Sequence, residues 1–159
     1  LLDSENMAEL AAFCTGSWAI SAETDAGSGS WEAAACRCLQ DLEILEPDWL
    51  ALLKQWEQAP ELSDFAPQDP EKLERIAVYF AFRYLLKAVN DGDLLGRAQF
   101  CALGVLVTDR LSRFVGLPEA LRLFSRETEH DEDNLATLLE QFWQTESLSL
   151  SALLAAFGG

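Results

Sequence analysis

The sequence predicts an all-α fold: a single domain built as a bundle of about seven helices around a central antiparallel helix hairpin. Three observations carry that prediction. Apolar residues recur at spacings of three and four along most of the chain, and nowhere do they alternate with strand period for long. Residues that start helices stand where those runs begin, as at Asp69-Pro70, Asp93, Pro118, Asp131 and Ser149. The run from Leu94 to Val115 is apolar almost all round between Ala98 and Val107, a pattern that a helix tolerates only when neighbours wrap it.

Taken in order, Asp3 or Ser4 caps a first helix with Met7, Leu10, Ala11 and Cys14 on one side and Gly16 as its stop. Residues 21–30 turn small and polar and read as a flexible loop. From Trp31 the apolar set Ala34, Ala35, Cys38, Leu39, Leu42 and Leu45 predicts an amphipathic helix reaching Leu45, and Pro47 restarts the chain on a new axis. Trp49, Leu52, Leu53 and Trp56 are the buried face of that next helix, which Pro60 ends. A surface connection, anchored by Phe65, leads to Asp69.

The hairpin follows as two runs, Lys72 to Asn90 and Leu94 to Val115, joined at Asp91-Gly92-Asp93. In its first helix Leu73, Ile76, Ala77, Phe80 and Tyr84 share one face, and Val78, Phe82, Leu85 and Val89 make a second. Both faces are expected to be covered. What remains is a stripe of Lys72, Arg75, Tyr79, Arg83 and Lys87 at spacings of three and four. Beyond Gly116, a helix opens at Pro118 with Leu117, Leu121 and Phe124 inward. Asp131 caps another, whose apolar stripe is Leu135, Leu138, Leu139, Phe142 and Trp143. Ser147 or Ser149 caps a short last helix through Leu150, Leu153, Leu154 and Phe157. No internal repeat is present.

At 159 residues, half of them hydrophobic, the chain is expected to bury one core of its own, with residues 1–159 as one helical domain. Its net charge of -16, with 11 basic against 27 acidic residues, argues against nucleic acid as a partner and against an anionic membrane surface. No apolar run approaches the ~20 residues of a spanning helix and no leader pattern opens the chain, so a cytoplasmic location is expected. Starting at Leu1-Leu2 without Met, the chain reads as the C-terminal part of a longer protein. Cys14, Cys36, Cys38 and Cys101 have neither disulfide nor zinc spacing; they read as reduced, structural cysteines, with no metal site.

Chemistry is sparse. There is no phosphate loop after a strand and no nucleophile elbow, and His130, the single histidine, excludes any site that needs two. Glu127 lies three residues before His130 and Asn134 four after it, a spacing compatible with one polar helical side; ordinary capping beside a solvated histidine is the competing reading. The basic stripe has three readings: solvated cations, pairing with the acids between Glu127 and Asp133, or an anion site around Arg83.

Three segments together resemble the flagellin lysine-N-methylase family of bacteria. They are Leu42-Glu43-Ile44-Leu45-Glu46-Pro47-Asp48-Trp49, Val78-Tyr79-Phe80-Ala81-Phe82-Arg83-Tyr84-Leu85-Leu86-Lys87-Ala88, and Ser125-Arg126-Glu127-Thr128-Glu129-His130-Asp131-Glu132-Asp133-Asn134-Leu135. The resemblance runs from about Trp31 to Phe142 and covers the C-terminal half of such proteins. It implies methyl transfer from S-adenosylmethionine to lysine side chains of flagellin in the cytoplasm. It also implies an iron-sulfur cluster on N-terminal cysteines, whose spacing Cys14, Cys36 and Cys38 do not reproduce. Within the resembling segments Tyr79, Arg83, Arg126, Glu127, Glu129, His130 and Asn134 are the candidate polar cluster, beside the basic stripe of Lys72, Arg75 and Lys87. Methylating a lysine requires a neutral amine, and Glu127, Glu129 and Tyr79 are of types that accept its proton or hydrogen bond. The structural alternative pairs Arg83 and Arg126 with Glu127 or Glu129. The resemblance thus implies a scaffold or substrate-facing portion of an enzyme, inactive alone; the other reading is a non-enzymatic, acidic, helical protein-interaction module.

Overall fold

The computed structural model describes residues 30–59 and 69–157. The helix expected from Ser4, nearly all of the 21–30 loop and the connection around Phe65 lie outside the described residues. Every regular element among the described residues is helical: α1 (Trp31–Gln40), α2 (Pro47–Glu57), α3 (Pro70–Tyr84), the one-turn α4 (Ala88–Asp91), α5 (Leu94–Val115), α6 (Leu117–Phe124), α7 (Glu132–Gln144) and α8 (Leu150–Ala156). The fold is all-α.

Helix α5 is the axis of the core. From Ala98 to Asp109 every residue is buried, and α2, α3, α6, α7 and α8 all pack on it. Its buried hydroxyls are satisfied locally, since Thr108 Oγ1 donates to the Gly104 carbonyl at 2.7 Å and Ser112 Oγ to the Asp109 carbonyl at 2.6 Å. Gln99 is different: its Nε2 donates to the Leu148 carbonyl at 2.9 Å and pins the turn before α8. Asp109 Oδ2 accepts from Arg110 Nη1 at 2.9 Å and Arg113 Nη2 at 3.2 Å, while Arg110 lies over the Trp31 ring at 5.6 Å and so ties α1 to α5. Neither the Gln99–Leu148 nor the Arg110–Trp31 contact is visible in spacing alone.

Aromatic packing sets where α3 meets α5. Phe80 stands edge-on to Phe100 and Phe124, at centroid distances of 6.1 and 5.8 Å, and Tyr84 stands 4.7 Å from Phe100. This closeness requires Gly104, where a Cβ atom would come 2.9 Å from Phe80 Cζ. The expected caps are in place. Asp69, Asp93, Asp131 and Ser149 accept from the backbone N–H groups of Glu71, Gly96, Asn134 and Ala152. Gly92, at φ 74°, supplies the left-handed residue that closes α4 before the turn.

Four expectations need correction. Helix α1 stops at Gln40, and 42–46 is non-helical, so Leu45 leaves the predicted stripe and is exposed. The run expected as one helix to Asn90 changes to a 3₁₀ turn at Leu85–Lys87. The second face of α3 is not covered, since Val78, Phe82 and Val89 are exposed and only Leu85 packs against the core. Trp143 is also exposed. The buried line of α7 runs Asn134, Leu138, Phe142, and the residue after Phe142 is rotated about 100° away from it.

Gly104→Ala follows as a test of the α3–α5 approach. In an open helix that change gains about 1 kcal/mol, whereas here we expect a loss of about 1–3 kcal/mol from crowding Phe80. Guanidinium denaturation of the two proteins measures it, and a Gly104→Ala protein as stable as the parent contradicts the packing described.

Candidate functional site

The resembling segment from Ser125 to Asn134 contains a wide turn. Ser125–Glu129 is a π-helix, closed by the His130 N–H donating to the Ser125 carbonyl five residues back, at 3.1 Å. Buried Thr128 donates from Oγ1 to the Phe124 carbonyl at 2.7 Å. Glu127 and Glu129 are two residues apart on this turn and point to opposite sides. Each closes a different lock.

The first lock holds backbone. Glu127 is fully buried; its Oε1 accepts from the Glu46 N–H at 2.7 Å and its Oε2 from the Leu45 N–H at 2.9 Å. Asn134 completes the grip, because its Oδ1 accepts from the Glu43 N–H while its Nδ2 donates to the Glu43 carbonyl, both at 2.8 Å, and also to the Glu127 carbonyl at 2.9 Å. The segment between α1 and α2 has no helical partners of its own, and these two side chains supply them. Outside, Arg122 forks onto the Glu46 carboxylate with both contacts at 3.1 Å and reaches Glu119 at 2.8 Å; these contacts hold the Glu46 and Glu119 carboxyls below the usual range.

The second lock holds side chains. Glu129, its side chain only 2 % exposed, accepts on Oε2 from the Tyr84 hydroxyl at 2.5 Å, the Tyr79 hydroxyl at 3.0 Å and Arg83 Nε at 3.0 Å. Burial pushes both phenols above the ordinary tyrosine range, and the hydrogen bond to Glu129 and its charge add to the effect. Arg83 also lies 5.9 Å from both ring centroids, and Lys87 Nζ lies 5.2 Å from the Tyr84 ring.

Of the candidate residues, the structure therefore brings Tyr79, Arg83 and Glu129 together at one lock and Glu127 and Asn134 at the other. His130, next after Glu129 in the chain, is exposed and joins neither lock. Arg126 points outward, its Nε 3.7 Å from Glu46 and not at Glu127 or Glu129. Among the described residues Lys72, Arg75 and Lys87 make no ion pair with the acids from Glu127 to Asp133. Sequence reasoning missed Tyr84, which its spacing assigns to the core face where it does pack. It also missed the 43–46 backbone, whose role leaves no mark on side-chain type.

Both Glu127 oxygens and Glu129 Oε2 are engaged by groups of the chain itself. The described cysteines do not fit an iron-sulfur cluster: Cys36, Cys38 and Cys101 are buried, burial beside Glu57 and Glu32 pushes the Cys36 thiol up to about 12, and among the described residues no three His, Cys, Asp or Glu side chains are grouped to hold a metal. A cleft of about 470 Å³ opens between Leu95, Gln99, Trp143 and Leu150, and no lock residue lines it. No helix among the described residues is long and apolar enough to cross a membrane. No family model, no curated protein and no solved structure matches this chain.

Glu127→Ala removes both acceptors from buried amides and is expected to cost about 2–4 kcal/mol in a denaturant titration; a change below about 0.5 kcal/mol contradicts the first lock. The second lock is read by light. Tyr79 and Tyr84 are the chain's two tyrosines, so tyrosinate absorbance reports on them alone. With folded values raised above the unfolded one, their contribution to stability is full below about pH 10 and is lost as pH rises from there through the folded values. Native protein should show little tyrosinate until it unfolds, and ordinary titration of both phenols near pH 10 in the folded chain contradicts the geometry.

Proposed function

We propose that the chain is the helical portion of a protein resembling the flagellin lysine methylases and that it serves there as scaffold, holding a substrate-facing or catalytic part that it does not itself contain. One observation supports this above others. The three segments that carry the resemblance are far apart in sequence, yet they meet at one junction: 42–49 at Glu127 and Asn134, 78–88 at Glu129. Residues shared with such a family are then those that fix the relative placement of helices, a scaffold's requirement. A base for a lysine ammonium needs a free acceptor aimed at open space. Glu127 faces backbone amides, and the Glu129 oxygen nearest Tyr79 already takes three donors.

On this reading S-adenosylmethionine and the cluster belong to residues outside the two locks, and no step is assigned to either group here. Flagellin as substrate, a bacterial source and a cytoplasmic setting all rest on the resemblance. Calorimetry of this chain with S-adenosylmethionine should give no binding heat. The protein translated from the whole reading frame, given S-adenosylmethionine and flagellin, should add methyl mass to flagellin lysines, and Glu127→Ala should lower that yield in step with its loss of stability. Binding of S-adenosylmethionine by this chain alone, or no methylation by the whole product, overturns the proposal.

A further inference from the structure

The uncovered face of α3 and the turn after it is the feature the two locks leave unexplained. Phe82 is 72 % exposed, Leu86 65 %, Val89 87 % and Val78 49 %. They recur at spacings of three and four and so form one line, opposite the buried line of Ile76, Phe80 and Tyr84. Scattered apolar residues on a surface need no explanation, but four large exposed ones at successive turns of α3, the 3₁₀ turn and α4 do. In sequence this helix is apolar on two faces, and the fold described uses one.

Charge beside the line selects what fits it. Arg75 lies within the line, seven residues before Phe82, and Lys72, Arg83 and Lys87 run along one edge, so that four of the chain's 11 basic residues stand on one stretch of a molecule of net charge -16. Among the described residues Lys72 and Arg75 have no ion-pair partner, and Lys87 touches only the Tyr84 ring face. Arg83 is committed to Glu129 on one side yet keeps a side chain 43 % exposed. At the N-terminal end Glu71 and Glu74 are the only acids of α3, which leaves the Arg75-to-Lys87 stretch positive.

We propose that this face docks a partner protein through an acidic amphipathic helix, its apolar residues seated on Val78, Phe82, Leu86 and Val89 and its carboxylates meeting Arg75 at the end of the line and Lys72 and Lys87 along its edge. The proposal does not depend on the methylase reading. A second copy of this chain fits less well, because a two-fold contact sets the basic edge near itself and joins two bodies each carrying -16. An anionic membrane is opposed by the same net charge.

The test uses a fluorescent peptide of about 16 residues with Leu at helical spacings of three and four and Glu on both flanks, and a twin with every Glu replaced by Lys. Fluorescence anisotropy should show saturable binding of the acidic peptide only. Phe82→Glu should weaken it at least about tenfold, as expected for an anchor at the centre of the contact. The pair Lys72→Glu and Arg75→Glu should weaken it about fivefold or more, and salt should act in the same direction. Phe82, Lys72 and Arg75 are exposed, so circular dichroism should show each variant folded as the parent. The proposal fails if neither peptide saturates, if the Lys twin binds equally, or if Phe82→Glu leaves binding unchanged. It also fails if the face proves to be occupied otherwise: by a second copy, seen as concentration-dependent dimerisation that Phe82→Glu abolishes, or by phosphatidylglycerol vesicles that take up the parent chain but not that variant.

Discussion

The grip of Glu127 and Asn134 on the backbone of 43–46 is the constraint the remaining architecture answers to. A chain that leaves one helix and enters another must find partners for the amides and carbonyls in between, and burying them unpaired costs as much as a lost hydrogen bond each. Here a carboxylate takes two N–H groups while a carboxamide, donor and acceptor at once, takes both groups of Glu43. Only side chains of those types at those places satisfy all four. The result fixes α1 and α2 against the end of α6 and the start of α7, elements about eighty residues away in the chain.

The π-turn is what lets one short segment serve two directions. By widening the helix at Ser125–Glu129 it places Glu127 toward the 43–46 backbone and Glu129 toward α3. Thr128 steadies the turn from within, and Asp131 caps the helix that presents Asn134. Both locks put negative charge in the interior of a molecule already rich in it, and each is met differently, by amide dipoles at Glu127 and by phenols and a guanidinium at Glu129. Carboxylate oxygens so engaged hold elements in place. That division, polar residues inward and an apolar, basic line outward on α3, is why the functional readings point to holding and docking and away from chemistry at the locks.

The helical class, the caps and the centrality of α5 are legible in the sequence, because each depends on residues within a turn or two of one another. Asp69, Asp93, Asp131 and Ser149 act on N–H groups two or three positions on, and an all-apolar run such as Ala98 to Val107 can sit nowhere but inside. Pairing of Arg83 with the acid-rich segment is one of the three readings the stripe allows, and Glu129 is the acid it meets. Periodicity followed too far fails: it carries Leu45 onto α1, Trp143 into the stripe of α7, and Val78, Phe82 and Val89 under a cover that the described residues do not provide.

Sequence spacing reports which residues share a helix side; it carries no information on which sides find a neighbour. That is why the chain alone settles an all-α bundle with its start and stop signals. The end of α1 at Gln40, the division of Glu127 and Glu129 between two locks, and the recruitment of Tyr84 as a hydrogen-bond donor from the core are settled only by three-dimensional packing. Backbone atoms of 43–46 are chemically like any others, and what makes them part of the site is the arrival of Glu127 and Asn134 beside them when the helices close.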